Sequence, residues 1–320
     1  MKLSIVIPIY KAERWIGRCL DSIFTQGIDE SEYEVVCVID GSPDKSAEVV
    51  GKYMDIHGNI RLIEQENQGV SIARNNGIEA SGGDYLTFID SDDVFIDDSL
   101  SLSLKAIESC KEDVMVCRSF VNNSEWPVWN NKFKDGEIVE SGNALKRGFL
   151  HGSVWGCYYK RELVVNNGIT FPIEVSNGED NFFFLSVMYY SKNIKFKDIK
   201  LYRVIEEEDS LSRTFSKERI DRSIKSLDIM KKMIYSYPSV KDHLFILQYI
   251  PYTCLSGLVT SVLDTRNVGL LYLLKAHVCN YTNFEISDDI VYLRSSMRLM
   301  KWSFLTYYIS SFVKHKLLRK

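Results

Sequence analysis

The sequence predicts an α/β fold: a mostly parallel sheet flanked by helices, followed by a helical C-terminal extension. Short apolar runs alternate with helical patterns through residues 1–118. The runs are consecutive Val, Ile and Leu without polar alternation, as in strands that helices cover on both faces. Beyond residue 212, apolar residues recur at three- and four-residue steps, which is typical of helices. Such alternation of strands and helices indicates a parallel sheet with helical crossovers.

The first part of the chain divides into regular strand and helix units. We expect strands at 3–9, 35–39, 60–63, 85–89 and 114–117, and helices at 12–24, 44–54, 70–80 and 99–110. The first apolar run is short and is interrupted by Pro8, so it indicates a strand and not a signal peptide. Ligands of parallel sheets bind at the carboxyl ends of the strands. We therefore expect the functional residues in the loops after positions 9, 39, 63 and 89.

The remaining chain is less regular. Residues 119–178 are rich in aromatic residues and glycine, 179–190 predict a helix, and 194–204 predict a strand. A further helix follows residue 212 and ends at Pro238. We expect a catalytic domain over 1–213, with halves at 1–118 and 119–213, and a helical region over 214–320.

Composition excludes several classes of protein. The 320 residues are 45% hydrophobic and 26% charged, which excludes intrinsic disorder and disulfide-stapled miniproteins. The net charge of −4 gives no sign of nucleic-acid binding. Seven cysteines, an odd number without a CxxC pair, predict reduced thiols in a cytoplasmic protein. No apolar stretch is long enough to span a bilayer.

Asp40 follows the second predicted strand, in the segment Asp40-Gly-Ser-Pro-Asp44. The glycine allows a tight turn. A carboxylate at this strand end can accept a hydrogen bond from a pyrimidine N–H or a ribose hydroxyl. The alternative is an Asx turn with Asp44 as the N-cap of the next helix, which is the favoured interpretation for Asp44. Asp40 is the candidate nucleotide contact.

Three carboxylates follow the fourth strand, in Asp90-Ser91-Asp92-Asp93. Such a cluster repels itself unless a cation lies among its oxygens. Mg²⁺ or Mn²⁺ accepts one or two carboxylates while it binds substrate phosphates at its other positions. Acidic residues before the helix at 99–110 are the alternative, but Asp97 and Asp98 lie closer to that helix.

Asp180 lies at the start of a predicted helix, directly after Gly178-Glu179 and before three phenylalanines at 182–184. A carboxylate among bulky apolar groups is partly desolvated, which raises its pKa and makes it a competent general base. The alternative is an acidic first turn that interacts with the helix dipole.

Seven segments together resemble family 2 of the glycosyltransferases, nucleotide-sugar-dependent inverting enzymes with a Rossmann-like GT-A fold. They occur in the family's order and at its spacing over residues 1–213, and seven weak motifs in register rarely coincide. The segments are Ser4-Ile-Val-Ile-Pro-Ile-Tyr10, Cys19-Leu-Asp-Ser-Ile23, Asp40-Gly-Ser-Pro-Asp44, Asn67-Gln-Gly-Val-Ser-Ile-Ala-Arg-Asn-Asn-Gly77, Gly83-Asp-Tyr-Leu-Thr-Phe-Ile-Asp-Ser-Asp-Asp93, Val154-Trp-Gly156 and Gly178-Glu-Asp180. Two positions depart from the pattern: Ile39 stands where relatives often carry Asp, and Lys11 where they often carry Asn.

The resemblance implies transfer of a sugar from a UDP-sugar, with inversion, to a hydroxyl of a glycan or lipid-linked acceptor in bacterial surface polysaccharide synthesis. It implies that Asp40 binds the uracil, that Asp90 and Asp92 of the DxD motif bind Mn²⁺ or Mg²⁺, and that Asp180 deprotonates the acceptor. The donor-binding set it implies consists of Pro8, Tyr10, Asp40, Arg74, Asp90 and Ser91.

Two of the matched side chains have alternative roles. Arg74 could point at the diphosphate, pair with Asp40 or Asp92, or lie on the surface. Trp155 could stack on a sugar face, but packing in the core is the favoured interpretation.

Two functions from other classes are alternatives. The segment 88–94 superficially matches the aspartate motif of haloacid-dehalogenase-like phosphohydrolases, although there the motif follows the first strand. A non-catalytic nucleotide-binding module is the second alternative. Nucleotidyltransferases usually carry a glycine-rich basic loop after the first strand, and this chain has none there.

The C-terminal segment differs in charge from the rest of the chain. Residues 291–320 contain seven Lys or Arg and no Asp or Glu, and an apolar run from Trp302 to Val313 shows helical spacing. Such a helix can lie in the interface of an anionic membrane, here the inner face of the cytoplasmic membrane. The alternative is a terminal helix packed on the rest of the protein.

Overall fold

The computed structural model describes residues 1–121, 124–125, 132–149, 151–205 and 217–236. The predictions for Trp126, Trp129, the domain boundary near 213 and the basic segment 291–320 lie outside these residues. Within them, no helix is long and apolar enough to cross a membrane. The five cysteines they include are free thiols, which confirms the predicted reduced state for Cys19, Cys37, Cys110, Cys117 and Cys157.

Four parallel strands form one half of the central sheet. They are β1 (Leu3–Ile9), β2 (Tyr33–Asp40), β3 (Ile60–Gln65) and β4 (Tyr85–Phe88), in the order β3-β2-β1-β4. Every residue of β1 and β2 is buried. This burial explains why their sequences are continuous apolar runs, and it confirms the prediction of strands covered on both faces.

The second half of the sheet contains antiparallel pairs. Strand β9 (Cys157–Lys160) lies between β4 and β6 (Val114–Val121) and is antiparallel to both. Strand β10 (Asn193–Val204) is parallel to β6, and β5 (Val94–Phe95) pairs with β10 at the edge. Short strands β7 (Ser124–Glu125) and β8 (Ile138–Glu140) pair with β6 and β10. The α/β class is confirmed, but β9 lies in the aromatic segment that sequence periodicity left unassigned.

Helices connect the strands. They are α1 (Ile16–Phe24), α2 (Ser46–Met54), α3 (Val70–Ala80), α4 (Ser99–Glu108), α5 (Ser141–Lys146), α6 (Arg161–Asn166), α7 (Glu179–Tyr190) and α8 (Lys217–Ser236). Helices α3 and α7 have the predicted bounds. Helix α1 begins four residues later than predicted, because Ala12 accepts hydrogen bonds from the N–H groups of Trp15 and Ile16 in a turn.

Helix α3 packs closely on the sheet at Gly77. A Cβ at this position would lie 2.3 Å from Cγ1 of Val6 in β1. Only glycine therefore allows α3 to approach the strand this closely.

The described chain separates into two compact units. The first comprises residues 1–173 and 186–207 and contains the sheet. Among the described residues, the second comprises 174–185 and 217–236, so it includes the start of α7 and all of α8. Within this second unit, the Ser226 hydroxyl accepts a hydrogen bond from the Ser176 N–H, and the Asn177 amide donates to the Ser223 hydroxyl.

Candidate active site

The predicted site residues of the first unit lie at one edge of the sheet. Strands β2, β1 and β4 are neighbours and parallel, so their carboxyl ends lie side by side. Tyr10 follows β1, Asp40 ends β2, and Asp90 comes two residues after β4. Pro8 lies within β1, buried, beside Val38. The sheet topology thus brings Tyr10, Asp40 and the acidic loop to the same edge, as the sequence predicts.

The loops after β1 and β2 are joined by hydrogen bonds. The Lys11 N–H donates to the Ser42 hydroxyl at 2.7 Å, and the Glu13 N–H donates to Oδ2 of Asp44 at 3.0 Å. Oδ1 of Asp44 accepts bonds from the Ser42 hydroxyl and from both the hydroxyl and the N–H of Ser46. Burial raises the pKa of Asp44, but these hydrogen bonds outweigh it and lower the value to about 2. Asp44 therefore fixes the conformation of the loops after β1 and β2.

The prediction that Asp44 is the N-cap of α2 is wrong by one position. Lys45 occupies the N-cap and makes no side-chain capping bond. Asp44 satisfies the Ser46 N–H from one residue earlier, because the turn after β2 brings its carboxylate under the start of the helix.

Tyr10 and Lys11 are exposed residues of the loop that follows β1, at the carboxyl end of the sheet. Tyr10 is 42% exposed, and the Lys11 ammonium lies 5.2 Å from the centre of its ring. Lys11 has a φ of 53°, a left-handed conformation that Asn adopts more readily than Lys. The departure from the family pattern at Lys11 therefore places a lysine in a strained backbone position.

Asp40 is held in place by the start of α3. Its Oδ1 accepts bonds from the Gln65 amide and the Gln68 N–H, each at 2.8 Å, and its Oδ2 accepts the Gly69 N–H at 2.9 Å. The side chain is buried, with 4% of the residue exposed. A carboxylate has about four acceptor positions, so these three bonds leave one for a ligand. Asp40 thus anchors the N-terminus of α3, a role that the sequence alone did not indicate.

The turn next to Asp40 requires glycine. Gly41 has a φ of 60°, and a Cβ there would lie 2.5 Å from the backbone nitrogen of Asn67. The Asn67 amide in turn donates to the Asp40 carbonyl at 3.0 Å. The loops after β2 and β3 are therefore packed backbone against backbone at this point.

Arg74 is a buried partner of the acidic loop. Its Nη2 lies 2.8 Å from Oδ1 of Asp90, and only 4% of the arginine side chain is exposed. The guanidinium also lies 5.2 Å from the ring centre of Phe171. The alternative of a surface arginine is therefore wrong, because α3 points this side chain inward, and the carboxylate it pairs with is Asp90.

The backbone of the acidic loop is held by several elements. Nη2 of Arg18, in α1, donates to the Asp92 carbonyl at 2.7 Å. The Asp93 N–H donates to the Asp90 carbonyl at 3.0 Å and closes a turn. The Asp93 carboxylate accepts the Tyr202 hydroxyl at 2.5 Å. Burial, and then the charge of Asp90, raises the pKa of Asp93 above its ordinary value.

Sequence reasoning missed Arg18 and Tyr202 and treated Asp93 only as a continuation of the cluster. Nothing local marks Arg18 or Tyr202, since each meets the loop from more than 70 positions away in the chain.

Trp155 is 8% exposed and stacks on Tyr202 at 4.9 Å. Trp155 thus packs in the core, as favoured, and its small exposed fraction leaves little of the ring available for stacking on a sugar.

Asp180 belongs to the second unit. It lies in the first turn of α7 and is partly exposed, while Phe182, Phe183 and Phe184 directly after it are buried. Gly178 before it has a φ of 93°, and its carbonyl accepts the Phe182 N–H at 2.9 Å. The structure therefore confirms that Asp180 lies at the start of a helix.

The acidic loop offers oxygen ligands for a divalent cation. Asp90, Ser91 and Asp92 are partly exposed, unlike the buried Asp93. No cluster of three or more His, Cys, Asp or Glu suited to a metal occurs in the part of the chain that the structure describes. Two carboxylates fit Mg²⁺ or Mn²⁺ only where a substrate supplies further oxygens, as a diphosphate does.

Comparison with known proteins identifies the family. Residues 4–165 match the family described as "Glycosyl transferase family 2". The uncharacterised glycosyltransferase EpsJ of Bacillus subtilis (strain 168) is 28% identical over 242 residues, which cover 73% of this chain and 70% of EpsJ. The poly(ribitol-phosphate) β-N-acetylglucosaminyltransferase TarS of Staphylococcus aureus (strain Mu50) is 27% identical over 204 residues, which cover 63% of this chain and 35% of TarS.

Solved structures show the same fold. Residues 1–349 of S. aureus TarS in complex with UDP-GlcNAc superpose with a TM-score of 0.75 at 20% identity, covering 99% of this chain and 92% of that one. The mannosyltransferase PcManGT of Pyrobaculum calidifontis, in complex with GDP-Man and Mn²⁺, gives a TM-score of 0.58 at 16% identity, covering 100% and 88%. At these identities the likeness establishes the GT-A fold.

These matches exclude the phosphohydrolase and the non-catalytic module. The matched region contains β1 to β4 and the loops that carry Asp40 and the acidic cluster. The chain belongs to glycosyl transferase family 2 and is a glycosyltransferase.

Proposed function

We propose that this enzyme transfers a sugar from a UDP-sugar, with inversion, to a hydroxyl of a glycan or lipid-linked acceptor in bacterial surface polysaccharide synthesis. One observation carries the proposal: Asp40 and the partly exposed carboxylates of Asp90 and Asp92 lie at one edge of the sheet, at the ends of neighbouring strands. A nucleotide base and a diphosphate are the two parts of a donor that such an edge recognises.

The donor would bind across the ends of β1, β2 and β4. Asp40 has one acceptor position left for the N3–H of uracil. Tyr10 provides the neighbouring exposed surface after β1, whereas Pro8 is buried within that strand. Arg74, paired with Asp90, offsets part of the negative charge that the diphosphate would meet.

Asp90 and Asp92 would hold Mn²⁺ or Mg²⁺. When bound, the ion would neutralise charge on the departing UDP. Asp90 is positioned for this by Arg74, which occupies its Oδ1. Arg18 holds the Asp92 carbonyl and so fixes the loop from the other side.

Asp180 would act as the general base. Asp180 lies in the first turn of α7 and is only partly exposed, and a carboxylate there would accept the proton of the acceptor hydroxyl. Attack from the face opposite to UDP gives inversion in a single displacement. One base and one leaving group are sufficient for this chemistry.

The relatives support the donor class and the kind of acceptor. TarS carries UDP-GlcNAc in one solved structure, and its name specifies poly(ribitol-phosphate) as the acceptor. We infer by analogy that UDP-sugars and a bacterial surface polymer are the first donor and acceptor classes to test.

The test is release of UDP from a panel of UDP-sugars, with GDP-mannose as a donor of the wrong base, in the presence of Mn²⁺. We expect one UDP-sugar to be turned over and EDTA to stop the reaction. Asp92→Asn should abolish metal-dependent turnover, whereas Asp98→Asn, which changes an exposed carboxylate near α4, should not. Turnover of the wild type in EDTA would refute the metal role, and selective use of GDP-mannose would refute the donor class.

Cytoplasmic location remains a prediction based on the cysteine pattern, and contact with an anionic membrane remains a prediction based on the basic segment 291–320. Each basic residue near such a surface contributes about 1 kcal/mol to binding. We expect the full chain to sediment with anionic liposomes at low salt more than a chain ending at Leu293. Equal partitioning into the supernatant would contradict membrane binding.

A further inference from the structure

Tyr202 connects the far strand β10 to the acidic loop. Its hydroxyl accepts the backbone N–H of Asp90 at 3.1 Å and donates to Oδ2 of Asp93 at 2.5 Å. A tyrosine hydroxyl has one proton to donate, and that proton is directed to Asp93. Its lone pair is therefore oriented towards Asp90.

The ring that carries this hydroxyl is fixed in the core. Tyr202 is fully buried, stacks on Trp155 at 4.9 Å with an interplanar angle of 8°, and meets Phe95 edge-on at 6.1 Å. Rings packed on two sides hold a single rotamer. The position of the hydroxyl is thus set by the packing of its ring in the core.

Asp93 uses its second oxygen to join the loop to the end of β10. Oδ1 accepts the Ile205 N–H at 2.8 Å, one residue after β10 ends at Val204. The Asp93 N–H closes the turn onto the Asp90 carbonyl. The loop is therefore attached to β10 through both its backbone and a side chain.

We propose that Tyr202 and Asp93 form a brace that fixes the backbone of Asp90, so that Tyr202 is a positioning residue for the metal-binding loop. The proposal rests on the proposed function, in which Asp90 and Asp92 bind the cation. Arg74 holds the Asp90 carboxylate and Tyr202 holds the Asp90 main chain, so both ends of this residue are oriented. Partners that orient metal ligands typically change metal affinity or activity by about 10- to 100-fold when they are removed.

Tyr202→Phe tests the brace with the least disturbance to packing. The ring contacts with Trp155 and Phe95 remain, whereas the hydroxyl that joins Asp90 to Asp93 is lost. Tyr159→Phe is the matched control, because Tyr159 is also fully buried and its hydroxyl donates to the carbonyl of Val154, a residue outside the acidic loop, at 2.8 Å.

The readout is Mn²⁺ binding in the presence of UDP, measured from the electron paramagnetic resonance of free Mn²⁺. We expect Tyr202→Phe to bind Mn²⁺ about tenfold or more weakly, and Tyr159→Phe to bind it as the wild type does. In the UDP-release assay, saturating Mn²⁺ should restore much of the kcat of Tyr202→Phe. Hydrogen exchange of the Asp90 amide should be faster in this variant than in the wild type.

Asp93→Asn provides an independent variant should Tyr202→Phe unfold. Its amide would donate to the Tyr202 hydroxyl and turn the hydroxyl proton towards the Asp90 N–H, so we expect a comparable loss of Mn²⁺ affinity. Unchanged Mn²⁺ affinity in either folded variant would overturn the brace while leaving the metal role intact. Absence of Mn²⁺ binding by the wild type with UDP would refute the metal role, and the brace with it.

Discussion

Replacing Asp40 by alanine should impair both the protein's stability and its recognition of uracil. The change removes the acceptor of three hydrogen bonds, from the Gln65 amide and from the N–H groups of Gln68 and Gly69. A hydrogen bond to a charged group contributes about 1.5–3 kcal/mol. Gln68 and Gly69 are exposed, so water replaces part of what is lost. We therefore expect the free energy of unfolding to fall by about 2–3 kcal/mol in total.

The second effect of Asp40→Ala concerns the ligand. Loss of the bond to uracil should weaken UDP binding by a further amount of about 1–3 kcal/mol. A matched control is Glu66→Ala, which removes an exposed carboxylate from the same loop. Urea denaturation measures the stability, and calorimetry with UDP measures the affinity.

N3-methyl-UDP separates the contact from the distortion of the loop. The methyl group blocks the proton that Asp40 would accept, so the wild type should bind this analogue more weakly than UDP. Asp40→Ala should bind the two nucleotides equally, as in a double-mutant cycle. Equal binding of both by the wild type would refute the uracil contact. Unchanged stability of Asp40→Ala would refute the anchoring of α3.

Three further changes have distinct expected outcomes. Asp180→Asn should leave UDP affinity nearly unchanged and reduce turnover by about 10² or more, and an equal loss of both would make Asp180 structural. Arg74→Met should lower the free energy of unfolding by about 2–3 kcal/mol. This loss is smaller than that for a fully buried ion pair, because the Asp90 side chain is 33% exposed. A loss under about 0.5 kcal/mol would contradict the pairing of Arg74 with Asp90. The pKa of Asp44 is about 2 in the folded state, so its contribution is present above pH 3.8 and is lost as the pH falls towards 2. Urea denaturation at several pH values measures the free energy of unfolding. After discounting for solvent screening, we expect this free energy to fall by about 1 kcal/mol less in Asp44→Asn than in the wild type as the pH is lowered. Identical pH profiles for the two proteins would refute this role.

Local patterns predicted much of the fold and the position of the site. Helix α3 over Val70–Ala80 was predicted because its periodicity and its flanking glycine are contained in a dozen residues. Asp40 and Asp90 were identified as site residues because each follows a buried apolar run, and parallel strands bring such ends to one edge. Boundaries were less accurate, as at α1, where a turn at Ala12 replaces the first helical turn.

By itself, then, the sequence determined the alternation of strands and helices, the edge at which the carboxylates gather, and the family. Only the tertiary structure decided that β9 enters the sheet antiparallel between β4 and β6, that Arg74 pairs with Asp90, and that Tyr202 holds the acidic loop. The physical reason is the range of the interactions. Periodicity and turn chemistry act over a few residues, whereas Tyr202 and Asp90 are 112 positions apart and meet only once the sheet is assembled and its core is packed.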